Sequence, residues 1–175
     1  MFRAALPDRR VAAMAEIDVV IEDDRWDDAG LEELAERAGR STLAWLGMDA
    51  DICVMGCDDT RIAALNADFR GKPRPTNVLS WPAVEHAERE PGAKPPLPDT
   101  DELGDIAISY DRCVSEAETQ GKQFDAHVTH LLVHAMLHLA GYDHVDDSDA
   151  ETMEAAERSV LAPLGISDPY QERDQ

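Results

Sequence analysis

One segment limits the fold more than any other: FDAHVTHLLVHAMLHLAGYDH, running from Phe124 to His144. Val128, Leu131, Leu132, Ala135 and Leu139 recur at the spacing of one helical face, and Val133, Met136 and Leu137 widen that stripe until the helix is apolar nearly all round. A helix of this kind has to be central, with other elements packed against most of its circumference. Its remaining face carries His127, His130, His134 and His138, at i, i+3, i+7 and i+11. A buried ring nitrogen left unpaired costs about 1–3 kcal/mol, so four imidazoles on a core helix need partners or a use.

His134 and His138 lie one turn apart, so both side chains leave the same face with Cβ atoms about 5–6 Å apart, within reach of one ion. Gly141 can take the left-handed backbone that ends a helix. The chain can then fold back within three residues and bring His144 to the same point. Three nitrogens with a fourth position open are the plan of a catalytic metal centre rather than a structural one. Imidazole ligands suit zinc, nickel, copper or iron, with zinc the first choice for one divalent ion here. His130, one turn upstream on the same stripe, competes with His144 for the third place. The spacing favours His144 and leaves His130 behind the ligands or lining the cleft. His86, His127 and His130 read individually as ordinary surface or hydrogen-bonded histidines. The skeleton H-x-x-x-H-x-x-G-x-x-H is also that of the metzincin proteases, whose general base is a glutamate directly after the first histidine. Ala135 stands at that position, so peptide hydrolysis lacks its base. Three neutral ligands nonetheless leave an ion its full charge, enough to draw the pKa of a bound water toward about 7.

Around this helix the pattern alternates. Ala15 to Asp23 reads as a strand rich in Val and Ile, followed by a helix capped at Asp27 or Asp28 that stops at Gly47. Ala50 to Asp58 is a second strand, and Asp58, Asp59 or Thr60 can cap a helix ending at Arg70-Gly71. Asn77–Trp81 and Glu102–Tyr110 are two further strands, separated by a segment whose prolines and charges point to an unpacked, mobile loop. A helix from about 111 to 120, the histidine helix, and a last helix opened by the capping box Ser148-x-x-Glu151 complete the order. These elements predict an α+β fold, a small mixed sheet of about four strands packed with five or so helices around the central histidine-bearing helix.

The 175 residues fall within the range of one compact domain. We assign that domain to residues 14–170 and treat 1–13 as an N-terminal extension with no signal-peptide character. No apolar run is long enough for a membrane span. With 37 acidic residues against 16 basic the formal charge is −21, which argues against nucleic acid at long range. Binding to phosphate, however, depends on the field within about 10 Å. Between Arg61 and Trp81 four cations (Arg61, Arg70, Lys72 and Arg74) face the single acid Asp68. Arg70 offers a planar fork to phosphate, and Lys72 and Arg74, spaced by prolines, extend the positive path. The three cysteines, Cys53, Cys57 and Cys113, read as reduced buried thiols of a cytoplasmic protein.

Several motifs in their order and spacing resemble the YbeY endoribonucleases, the rRNA maturation factors. They are Leu65-Asn66, Phe69-Arg70-Gly71-Lys72, Pro75-Thr76, Val78-Leu79-Ser80, Leu103-Gly104-Asp105-Ile106 with Ile108-Ser109, His130, the histidine run with Gly141-Tyr142-Asp143-His144, and Met153-Glu154 with Glu157. The resemblance spans about Leu65 to Gly165 and implies a zincin-like fold, a zinc-like ion on His134, His138 and His144, and a functional arginine at Arg70. It also implies cleavage of single-stranded RNA in small-subunit rRNA 3′-end processing and in ribosome quality control, with the small subunit and its proteins as partners. Two positions depart from the family pattern: Ala135, usually Gly, and Asn77, usually Asp. The rival readings are a non-catalytic ribosome assembly factor with a structural metal, and a zincin-like hydrolase of peptides or small molecules.

Overall fold

The computed structural model describes residues 15–170; the extension assigned to residues 1–13 lies outside them. Four strands, β1 (Ile17–Ile21), β2 (Asp51–Cys57), β3 (Val78–Pro82) and β4 (Glu102–Ser109), form one sheet in the order β1-β2-β4-β3. β1, β2 and β4 run parallel, and β3 pairs antiparallel to β4 at the edge, with Ser80 opposite Ile106. The central strands are buried almost throughout, as strands covered on both faces should be. Six α-helices accompany the sheet among the described residues: α1 (Arg25–Asp28), α2 (Leu31–Leu46), α3 (Asp59–Arg70), α4 (Tyr110–Gln120), α5 (Phe124–Leu139) and α6 (Asp147–Leu161). The architecture is the expected α+β one.

Strand alternation divides the core. Ile52, Val54, Ile106 and Ile108 point to the large cluster built with α2, α5 and α6. Met55, Cys57, Leu79 and Ala107 point to a smaller one beneath Ile62 and Leu65 of α3, with Trp81 packed against it. α5 is the central helix: Val128, Leu132, Val133, Met136, Leu137 and Leu139 are wholly buried between the sheet and the neighbouring helices. Cys53, Cys57 and Cys113 are buried free thiols, and burial pushes Cys57 up to about 12. No helix among the described residues is long and apolar enough to cross a membrane.

Three local expectations need correction. The helix expected to be capped at Asp27 or Asp28 begins at Leu31, after Gly30 with φ 77°, because residues 25–28 form their own turn. That turn sinks Trp26 out of solvent with its indole N–H on the Cys57 carbonyl at 3.0 Å. The last helix is capped by Asp146, whose side chain accepts from the Asp149 N–H at 2.9 Å, rather than by Ser148. Asp149, so placed, accepts in turn from the Gly92 N–H at 2.9 Å. The segment between β3 and β4 is irregular, as its prolines require, but it is tied to the body. Thr152 donates to the Gly92 carbonyl at 2.6 Å, His86 meets the Leu139 carbonyl at 2.8 Å, and Arg89 lies between Asp143 and Asp149.

Candidate metal centre and cleft

The site is built where α5 ends. The His134 and His138 rings stand 4.6 Å apart with their Nε2 atoms at 3.1 Å. Ala140 closes the helix, and Gly141, at φ 108°, turns the chain back. A side chain there would strain the backbone and meet Pro95 and His86 at about 3 Å, so the turn requires glycine. The return places the exposed His144 ring 5.4 Å from His134 and 5.1 Å from His138. One ligand nitrogen from each of the three lies within 4.8 Å of the others.

Their tautomers follow from what stands behind them. The Tyr142 carbonyl, 2.8 Å from His138 Nδ1, can only accept, so that nitrogen carries the proton and His138 Nε2 is a bare lone pair. A carboxylate oxygen of Glu157 lies 3.3 Å from His134 Nδ1 and imposes the same choice. Two lone pairs therefore face each other across 3.1 Å, which is repulsive without a cation. Two tetrahedral zinc ligands about 2.0–2.1 Å from an ion stand about 3.3–3.4 Å apart, so the donor set fits one. Burial, together with the His134 and His144 rings, pushes His138 down to about 4, leaving it neutral and able to ligate at pH 7.

Glu157 anchors this arrangement and was not singled out as a site residue by sequence reasoning. It is fully buried, and one of its oxygens takes hydrogen bonds from His130 Nε2 at 2.6 Å and the Tyr170 hydroxyl at 2.7 Å. Burial would raise its carboxyl, but the hydrogen bonds from His130 and His134 outweigh it and bring it to about 2. Its signal was present: Met153, Ala156, Glu157 and Val160 form one buried stripe on α6, with a charge where an apolar residue belongs. Tyr170, edge-on to His130 at 5.4 Å, carried no comparable signal. His130, Glu157 and His134 also bring ligand atoms within 4.8 Å of one another. His130 is thus bound to the carboxylate that also meets His134, and it lines the cleft in front.

The cleft in front has a volume of 340 Å³ and is lined by residues including Arg70, Asn77, Ser80, His134, His138 and His144. Among the described residues no carboxylate appears in its lining, although the chain carries −21. Arg70 reaches it from the last residue of α3, whereas Lys72 and Arg74 lie on the exposed loop beyond and do not line it. His127 faces elsewhere: its Nε2 meets Glu116 at 2.9 Å. Glu116 also explains Asn77. The Asn77 amide donates to both Glu116 oxygens at 3.1 and 3.3 Å and accepts from the Val78 N–H at 2.6 Å. A carboxylate at position 77 would face Glu116 with like charge. Burial raises the Glu116 carboxyl, but His127 and Asn77 more than compensate and hold it below its ordinary value.

A family model described as Endoribonuclease YbeY matches residues 16–165. An Endoribonuclease YbeY of Paracoccus denitrificans (strain Pd 1222) is 70% identical over 159 residues, covering 90% of this chain and 91% of the relative. That of Ruegeria sp. (strain TM1040) is 56% identical, covering 88% and 95%. Among solved structures, the solution structure of TM1509 from Thermotoga maritima superposes with a TM-score of 0.53 at 26% identity, over 89% of this chain and 99% of that one.

Proposed function

The chain belongs to the endoribonuclease YbeY family, and from that premise we propose that it hydrolyses single-stranded RNA in a cleft where His134, His138 and His144 hold one divalent ion and Arg70 takes the scissile phosphate. The observation carrying this reading is that three imidazoles and a guanidinium share one cleft with no carboxylate in its lining among the described residues. An ion on three neutral nitrogens, zinc fitting best, would polarise a phosphate oxygen or lower the pKa of an attacking water. The Tyr142 carbonyl and Glu157 hold the imidazole protons on the Nδ1 atoms of His138 and His134, keeping both Nε2 lone pairs turned inward. Arg70 presents parallel donors to the phosphate oxygens and stabilises the charge that develops there as the P–O bond breaks. The attacking group is either the neighbouring 2′-hydroxyl or a water, and a 2′,3′-cyclic phosphate end marks the first. Alanine at position 135, directly after His134 in sequence, leaves a metzincin-type peptidase without its general base.

The RNA we propose is ribosomal, at the 3′ end of the small-subunit rRNA, in the cytoplasm. An acidic surface suits basic ribosomal proteins as partners. That same surface favours a second reading, a non-catalytic assembly factor with a structural metal. Purified untagged protein assayed for metal content and for cleavage of single-stranded against duplex RNA, with and without chelator, separates the two. We expect cleavage of single strands, lost with chelator and in the surface variant His144→Ala. Intact rRNA maturation in cells carrying a metal-free His138→Ala protein would overturn the catalytic reading.

A further inference from the structure

Phe69 is 54% exposed at the end of α3, directly before Arg70. Its ring meets Trp81 of β3 edge-on, with centroids 5.5 Å apart and planes at 73°. Alternation along β3 sends Val78 and Ser80 into the histidine cleft and Ser80 and Pro82 into the adjoining groove, while Leu79 and Trp81 point to the opposite face. β3 is the sheet's edge strand, so one strand's width separates the cleft from the aromatic pair. Arg70 crosses that width: it starts beside Phe69 and lines both the cleft and the groove. Arg70, Lys72 and Arg74 are exposed, and none makes an ion pair among the described residues. An exposed ring bordered by unpaired cations is the composition of a surface that tracks a single nucleic-acid strand.

We propose that Phe69, backed edge-on by Trp81, is a stacking platform for one unpaired nucleobase of the RNA whose phosphate lies at Arg70. The inference rests on the nuclease reading and adds the source of its strand selectivity. Every nucleobase offers a π face, so the platform is indifferent to sequence. A base inside a duplex has both faces covered and cannot use it. Phe69 and Arg70 are neighbours on opposite sides of the edge strand, so a base adjoining the held phosphate comes within reach of the ring.

The test uses the metal-loaded full chain, with fluorescence anisotropy of a labelled single-stranded oligoribonucleotide and of the same sequence as a duplex. Phe69→Leu keeps apolar bulk and removes the π face. It should weaken single-strand binding about 5- to 150-fold and raise KM by the same factor with kcat unchanged. Phe69→Trp should restore both, and duplex binding should not move. An abasic nucleotide walked along the oligonucleotide checks the wild-type protein without relying on any variant's folding, and one position should lose the same factor. Wild-type affinity in Phe69→Leu, equal losses on single strand and duplex, failure of Phe69→Trp to restore binding, or a flat abasic scan would each overturn the platform. If the wild type cuts single strands while Phe69→Leu is unaffected, only the platform fails. If the wild type neither binds nor cuts them, the nuclease reading fails with it.

Discussion

Glu157→Gln changes one oxygen to an amide nitrogen, and the surroundings dictate where that nitrogen goes. The oxygen that accepts from His130 at 2.6 Å and from the Tyr170 hydroxyl at 2.7 Å must remain an oxygen, because both neighbours donate. The NH₂ group therefore faces His134 Nδ1, now 3.3 Å from a carboxylate oxygen. Two donors cannot face each other, so His134 must move its proton from Nδ1 to Nε2, the atom that looks toward His138 Nε2. The lone pair proposed to hold the ion disappears. Hydrogen bonds to a charged acceptor contribute about 1.5–3 kcal/mol against roughly 1 kcal/mol for neutral ones. Neutralising the two short bonds costs on the order of 2 kcal/mol, and the relocated proton, donated by His134 Nε2 to His138 Nε2 across 3.1 Å, offsets about 1 kcal/mol of it when no ion is bound. At about 2–4 °C per kcal/mol for a chain of this size, Tm falls by about 2–4 °C in the chelator-treated protein. Zinc affinity should fall about 10- to 100-fold from lost ligand orientation. Calorimetry with chelator present, a competition titration with a chromophoric chelator, and imidazole ¹⁵N shifts read the three effects. Unchanged zinc affinity, with the His134 proton still on Nδ1, would refute the reasoning.

The other predictions concern the phosphate donor, the sheet edge and acid. Arg70→Lys keeps the charge but removes the fork, so cleavage should fall about 10²- to 10³-fold with metal content unchanged; metal loss would show that Arg70 supports the site instead. Gly104→Ala puts a side chain at φ 147° against the Trp81 carbonyl oxygen and 2.8 Å from Leu139 Cδ2. It should cost about 3 kcal/mol or more, read as a melt about 6–12 °C lower, and a wild-type melt would mean that β3 is not fixed as described. In chelated protein His138 stays neutral down to about 4, so between its ordinary value of 6.5 and 4 the unfolded chain binds the extra proton. Its contribution to stability is complete above pH 6.5 and lost as pH falls to 4, and that of Glu157 is complete above 4.5 and lost toward 2. Urea midpoints across that range should fall on acidification, and a rise between pH 6.5 and 4 would contradict the assignment.

What the sequence made legible is what local chemistry decides. α5 declared itself through its apolar circumference, β2 and β4 through short apolar stretches around Ile52 and Val54 and around Ile106 and Ile108, and α3 through Asp58 at its start and Gly71 at its end. The three histidines were legible because i, i+4 spacing and a glycine turn place them without reference to any distant residue. The misread starts of α2 and α6 had adjacent candidates of similar strength. At α2 the burial of Trp26, and at α6 the pairing of Asp149 with Gly92, decided between them. The segment between β3 and β4 was misjudged on composition, since its anchors, Asp149, Thr152 and the Leu139 carbonyl, lie far along the chain on α6 and α5.

The same distinction explains how so acidic a chain can present a cleft fit for phosphate. Two acids beside the cleft stand behind its wall and not in it: Glu157 under His130 and His134, Glu116 under Asn77. Each is engaged by donors, so each acts through the group in front of it, fixing an imidazole tautomer in one case and an amide orientation in the other. What faces the cleft is a guanidinium, imidazoles and neutral side chains. At about 8 Å of screening in physiological salt, a phosphate in that cleft responds to this lining more than to the distant surface. A net charge of −21 therefore describes how the whole molecule meets its partners, while the local field at Arg70 describes what it can hold. Composition reports the first and cannot report the second, because tertiary packing decides which group stands in front of Glu157 and Glu116.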